Sequence, residues 1–169
     1  MQTGLVLCVP EAQAIVGRTR AKHDPAARAG MPPHVTLIYP FMDSRALNDQ
    51  VRAKLAALCA ATSPLSFDLG GFGRFDNVLW LAPSPAEPIV ALVRHLEQAF
   101  PGHPSFGGAF PEIVPHLTVA HGDPAAFRAI ERGLASKLAK PISVTARTVT
   151  LFGLSDQGWI PLEAFDLAG

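Results

Sequence analysis

Two segments of this 169-residue chain repeat one short pattern, Pro33-His34-Val35-Thr36-Leu37 and Pro115-His116-Leu117-Thr118-Val119. Both read as the start of a strand. Aliphatic residues alternate with the histidine and threonine, and the leading prolines fix φ and favour an extended lead-in. Side chains alternate faces along a strand, so His34 shares a face with Thr36, and His116 with Thr118. Val35, Leu37, Leu117 and Val119 lie on the opposite, core-facing side. The fold must therefore bury one face of each strand and leave an imidazole and a hydroxyl on the other. If the two strands lie side by side or face each other, two histidines and two threonines meet in one cleft.

The rest of the chain supplies strands and helices in the order β-α-β-α, β-β-α-β-α, β-β. Strands are expected at 4–9, 34–41, within 65–82, at 116–122 and within 142–167. Amphipathic or Ala-rich helices are expected at 11–22, 45–61, 87–100 and 125–139. Asp43 or Ser44 serves as cap for the second helix, and Asp123 with Pro124 opens the fourth. The segment "GGFG" at 70–73 reads as a tight turn between two strands rather than a phosphate cradle, because no helix follows it. Adjacent strands at 65–82 and 143–166 imply antiparallel hairpins, hence an α+β fold rather than a doubly wound parallel sheet. The repeat suggests two pseudo-symmetric lobes in one domain, residues 1 to about 62 with 141–169, and residues 63–140.

Lys plus Arg and Asp plus Glu number 14 each, so no global field draws the chain to nucleic acid or membrane, and any anion must be held locally. No segment reads as a signal peptide or a membrane span, and a cytoplasmic monomer without an obligate protein partner is the expectation. Cys8 and Cys59 lie in apolar runs without metal-site spacing and read as reduced core residues.

Two imidazoles and two hydroxyls around one cleft suit hydrolysis or transesterification of a phosphodiester. One neutral histidine takes a proton from the attacking hydroxyl or water, and the other, protonated, donates to the departing oxygen. The threonine hydroxyls donate to the non-bridging phosphate oxygens. Neither a metal nor a cofactor is required. The doubled His-x-Thr-hydrophobic motif, with the flanks "MPPHVTLIYPF" and "GGAFPEIVPHLTVAHG", resembles the 2H phosphoesterases and within them the bacterial 2′-5′ RNA ligase-like branch. The resemblance implies a two-lobed fold around a central cleft. It also implies action on 2′,3′-cyclic phosphate ends of RNA or on small cyclic nucleotides, with 2′-5′ ligation in reverse. Two other readings stand beside it, a nucleotide-binding module that does not turn over and a phosphoesterase for a non-nucleotide substrate.

Other residues divide between core and cleft. A metal site would need a third ligand, and His121 is nearest, but five positions from His116 in a regular strand it points to the other face. Tyr39 has the same wrong parity relative to His34. Phe41 is a base-stacking candidate with a core role as the alternative. Trp80 and Phe152 read as core. Arg20 belongs to the basic cluster of Arg18, Lys22, His23 and Arg28, whose default is a solvated helix face and whose alternative is a phosphate contact.

Overall fold

The computed structural model describes residues 1–169. Eight strands form one antiparallel sheet: β1 Gln2–Cys8, β2 His34–Ile38, β3 Leu65–Phe75, β4 Val78–Ser84, β5 Leu117–His121, β6 Ile142–Ala146, β7 Thr148–Ser155 and β8 Gly158–Asp166. Their order across the sheet is β6-β3-β4-β5-β2-β1-β7-β8, so the two motif strands are neighbours at its centre. Helices α1 Gln13–His23, α2 Pro25–Arg28, α3 Asp49–Ala60, α4 Glu87–Ala99 and α5 Phe127–Ala135 complete an α+β domain. No helix is long and apolar enough to cross a membrane.

The main apolar core runs the length of the sheet, from Leu5, Leu7 and Leu37 through Leu117 and Val119 to Leu69 and Val144, and a small second cluster joins Val6, Met31 and Phe152. On α4, Ile89, Leu92, Val93 and Leu96 recur at helical spacing and are all buried, which is why this segment folds as an amphipathic helix. Helices and motif strands are paired crosswise. α1, which follows β1, packs on β5, whereas α4, which follows β4, packs on β2. Each motif strand is thus backed by a helix from the opposite half of the sheet.

Several local expectations shift. Asp43 caps only a 3₁₀ turn over Ser44–Ala46, and α3 starts later, where the Asn48 side chain accepts from the Val51 amide. Asp123 likewise caps a 3₁₀ turn, Pro124–Ala126, that leads into a shorter α5. The C-terminal stretch breaks at Arg147 into β6 and β7, and β6 joins the far edge beside β3. Residues 142–146 therefore pair with the middle of the chain, not with the C-terminal strands with which the sequence grouped them.

The "GGFG" segment is not a turn. β3 continues through it to Phe75, and the chain reverses at Asp76 and Asn77. Gly73 sits opposite Trp80 in the ladder, and a Cβ there would lie 2.3 Å from the indole ring. That indole packs at 5.0 Å from Phe75 and 5.9 Å from His116, so it has little room to retreat. Overpacking of this kind costs about 1–3 kcal/mol. Gly73→Ala is expected to lower the unfolding free energy by an amount in that range and to shift the emission of Trp80, read in a Trp159→Phe background. Unchanged stability and emission would mean that glycine is not required at this crossing.

Candidate active site

Val35 and Leu117 are direct partners in the antiparallel pairing of β2 with β5. Continuing that register sets His34 opposite Thr118 and Thr36 opposite His116, all four on the face away from the buried Val35 and Leu117. The two histidines are then diagonal neighbours, a spacing of about 7–8 Å for such pairs and somewhat less between Cβ atoms. Burial alternates identically in the two segments: Pro33, Val35, Leu37 and Ile38 are buried, as are Pro115, Leu117, Val119 and Ala120, while both histidines and both threonines are half-buried.

All four side chains line one cleft of about 900 Å³. The rings are fastened alike. His34 Nδ1 lies 2.8 Å from the Pro32 carbonyl oxygen and His116 Nδ1 lies 2.8 Å from that of Val114. A carbonyl can only accept, so Nδ1 carries the proton in each ring. Nε2 is left as the atom that can take up or release a proton. Burial pushes the His34 pKa down to about 4, partly offset by the Pro32 hydrogen bond, with the Arg20 charge lowering it further. Burial also lowers His116, against the Val114 hydrogen bond, with His121 adding to the depression.

Both motif strands carry a bulge at the same place, a feature that no residue pattern in either segment signals. On β2 the partners step from Thr36 with Val6 to Ile38 with Leu5, leaving Leu37 as the extra residue. On β5 they step from Thr118 with Trp80 to Ala120 with Leu79, leaving Val119. A bulge resets the alternation beyond it. Ile38 and Ala120 therefore stay in the core, and Tyr39 and His121 return to the cleft, which both line. The parity argument that had excluded them fails for this reason. No three His, Cys, Asp or Glu side chains converge closely enough to hold a metal ion, His121 included.

Two other candidates lie outside the cleft lining. Phe41 is 3% exposed and packs edge-on against Phe100 and His103, so it belongs to the core. Arg20 is 2% exposed and forms a buried pair with Asp24, Nη2 to Oδ2 at 2.8 Å, while Nη1 donates to the Met31 carbonyl at 3.3 Å. It ties down the chain just before Pro32 and His34. Trp80 flanks His116, and the cleft walls are completed by Phe75, Phe106 and Phe110 on one side and by Tyr39 and Trp159 on the other.

The depressed His34 carries a consequence for stability. The unfolded chain takes up a proton at this histidine near pH 6.5, whereas the folded protein resists until about 4. Between those values the unfolded state binds more protons, so stability falls as pH drops through that window and levels off below it. At 1.36 kcal/mol per unit the loss from this group is about 1–3 kcal/mol, allowing for its partial exposure to the cleft. His34→Gln is expected to flatten the dependence of unfolding free energy on pH between about 4 and 6.5. A slope equal to that of the wild type would show that the imidazole titrates normally.

The sequence matches the profile of the 2′-5′ RNA ligase superfamily over residues 8–158. A protein of Geobacillus kaustophilus (strain HTA426) named "Putative phosphoesterase" is 26% identical over 175 positions, covering 100% of this chain and 98% of its own. A Bacillus pumilus (strain SAFR-032) protein of the same name is 31% identical over 125 positions, 71% of this chain and 70% of that one. Among solved structures, Escherichia coli LigT in complex with 3′-AMP superposes with a TM-score of 0.61 at 20% identity, covering 99% of this chain and 98% of LigT. TT0787 of Thermus thermophilus superposes with a TM-score of 0.59 at 22% identity, covering 100% and 99%. At such identities the two structures establish a shared fold.

Proposed function

The chain belongs to the 2′-5′ RNA ligase superfamily, and from that premise we propose that it is a cyclic phosphodiesterase with His34 and His116 as its acid–base pair. Family and fold support phosphoesterase activity. The finer reading is that the substrate is a 2′,3′-cyclic phosphate, at an RNA end or on a small nucleotide, opened by water in hydrolysis and by a ribose hydroxyl in 2′-5′ ligation. The observation that carries it is the antiparallel register around Val35 and Leu117, which gives each imidazole a threonine hydroxyl opposite it in one cleft.

In the proposed reaction a phosphate lies between the two Nε2 atoms. The neutral imidazole takes a proton from water as the water oxygen bonds to phosphorus. The bond from phosphorus to one ribose oxygen breaks, and the protonated imidazole delivers its Nε2 proton to that oxygen. Each step leaves charge balanced, and after product release the two rings exchange protons with solvent. Thr36 and Thr118 donate hydrogen bonds to the non-bridging oxygens. In ligation a ribose 5′-hydroxyl takes the place of water: its proton passes to the neutral imidazole as its oxygen bonds to phosphorus, the bond from phosphorus to the 3′-oxygen breaks, and that oxygen takes the proton of the other imidazole, leaving a 2′-5′ bond.

In this reading His34, its pKa held down to about 4 by burial, is the neutral imidazole free to act as base, and His116 is the acid. An anionic phosphate between the rings favours the charged form of both, so binding itself helps to protonate the acid. A second reading, a small non-nucleotide phosphodiester, draws on the charges of the cleft. Asp24, Asp76 and Glu112 line it beside Arg74, and the Arg74 guanidinium is already fastened to Glu131 by bonds of 3.0 and 2.8 Å. That lining offers little to a long polyanion.

The test is turnover of 2′,3′-cyclic nucleotides by the purified protein. His34→Ala and His116→Ala should each cost about 10²–10⁴ in rate, and the double variant far less than their product. Thr36→Ala and Thr118→Ala should cost less, since the proton path remains. The profile of kcat/KM against pH should be bell-shaped with its maximum below pH 6.5, because both histidines are depressed from that value. A folded single-histidine variant that keeps wild-type turnover would remove the acid–base pair from the account.

A further inference from the structure

Between α4 and β5 the chain makes an unusual turn. Phe106 has φ 51° and ψ 33°, the one residue other than glycine with positive φ, and Gly107 and Gly108 continue at φ 63° and 74°. Glycine adopts this region freely, but a bulky residue is strained there and is retained where the surroundings compel it. The reason for a phenylalanine here lies in what its ring touches. It stacks on the His116 imidazole, centroids 5.9 Å apart and planes within 20°. Phe75 meets the same imidazole edge-on at 5.1 Å, and Phe110 meets Phe106 edge-on at 5.9 Å.

The turn is anchored at its other end to the first motif strand. Ser105 is buried; its Oγ donates to the Leu37 carbonyl at 2.9 Å, and its amide donates to Glu97 Oε1 at 2.8 Å. Leu37 is the residue that the bulge leaves out of the β1 ladder. The loop therefore spans the motifs: one residue is bonded to the strand of His34 and the next is stacked on His116.

Taking His34 and His116 as the acid–base pair, we propose that Phe106 is a positioning residue. From a left-handed turn fastened to β2 through Ser105, its ring fixes the plane of the His116 imidazole so that Nε2 faces the phosphate. The Val114 hydrogen bond leaves the ring free to rock about the Nδ1 contact; Phe75 meets it edge-on and Trp80 lies tilted beside it, and Phe106 supplies the one stacked face that holds its plane. The strain at Phe106 is offset by the stack and by the Ser105 bonds, in keeping with the clustering of such residues at functional sites. The same ring shields His116 from water and so adds to the burial that lowers its pKa.

The variants are Phe106→Gly, Phe106→Leu and Phe106→Trp. Glycine accepts the backbone conformation, so the turn is retained and the thermal midpoint should stay within a few degrees of wild type. Leucine keeps an apolar cover without a planar face, and tryptophan keeps the face. The first readout is the titration of the His116 imidazole by NMR, which needs no substrate. Around it stand His121 on β5, Arg74 and Asp76 at the β3–β4 turn, Glu112 in the same loop and His34 on β2, none of which these variants alter. The second readout is turnover of a 2′,3′-cyclic nucleotide.

With glycine the His116 pKa should rise toward 6.5 and its ring signals should report more than one orientation, while His34 moves only through the smaller effect of the His116 charge on it. Misplacement of a reacting group by a fraction of an ångström is expected to lower kcat about 10- to 100-fold, with a smaller change in KM. Tryptophan should restore most of both properties, and leucine should restore the burial but not kcat. If Phe106→Gly leaves the His116 titration and kcat at wild-type values, or Phe106→Leu matches wild type in kcat, the positioning role is wrong. If the wild type itself does not turn over cyclic nucleotides, the proposed function fails. The NMR titration then still decides whether Phe106 holds the His116 ring.

Discussion

The pairing of Val35 with Leu117 is the contact around which the cleft is built. It is the only ladder pair between β2 and β5, yet it joins two four-stranded halves into one sheet. Because side chains alternate with period two, a slip of one residue in either strand would turn its histidine and threonine into the core and its aliphatic residues into the cleft. Against that slip stand the fully buried Val35, Leu37, Leu117 and Val119, whose transfer to water would cost about 1.5–3 kcal/mol each. The crosswise packing of α1 on β5 and α4 on β2 reinforces the junction, since each half grips the other's motif strand from behind.

Two bulges then decide how much of each strand serves the cleft. A regular strand would offer it the histidine and the threonine, with the fifth residue after each histidine turned away. By adding Leu37 and Val119 to the core side, the bulges bring Tyr39 and His121 back to the cleft at matching positions. The symmetry of the site is therefore a symmetry of backbone irregularities as well as of motif residues. It is broken by what surrounds the rings. Tyr39 and Trp159, 5.5 Å apart, stand on one side, and Phe75 and Phe106 against His116, with Phe110 behind Phe106, stand on the other. Two chemically identical imidazoles in such different walls can take opposite parts in a proton transfer.

The Arg20–Asp24 pair supports the same arrangement from beneath. Both oxygens of Asp24 are used, one by Arg20 and one by the Ala26 amide that opens α2. The remaining arginine donor holds Met31, three residues before His34. A buried pair of this kind is weak as a source of stability, but removing one partner strands the other charge at a cost of about 3–5 kcal/mol. Its value lies in fixing the approach of the chain to β2, and the same charges act on His34 in opposite directions.

The sequence alone determined the doubled motif, the sharing of a face by each histidine with its threonine, the burial of the alternate aliphatic residues, and the α+β class with antiparallel hairpins. These follow from local periodicity, which any strand must obey wherever it is placed. Tertiary structure decided what local rules cannot. The bulges that recover Tyr39 and His121 arise from pairing with β1 and β4, which a single strand's pattern does not encode. The burial of Phe41 and Arg20 depends on Phe100, His103 and Asp24 being in place around them. The glycines of "GGFG" read as a turn, and became strand because Trp80 crosses Gly73 from the neighbouring strand. The placement of β6 beside β3, and of Phe106 on His116, comes from packing between segments distant in the chain. Periodicity fixes which way a side chain points along its own strand; only the neighbours fix where the strand bends and what the side chain meets.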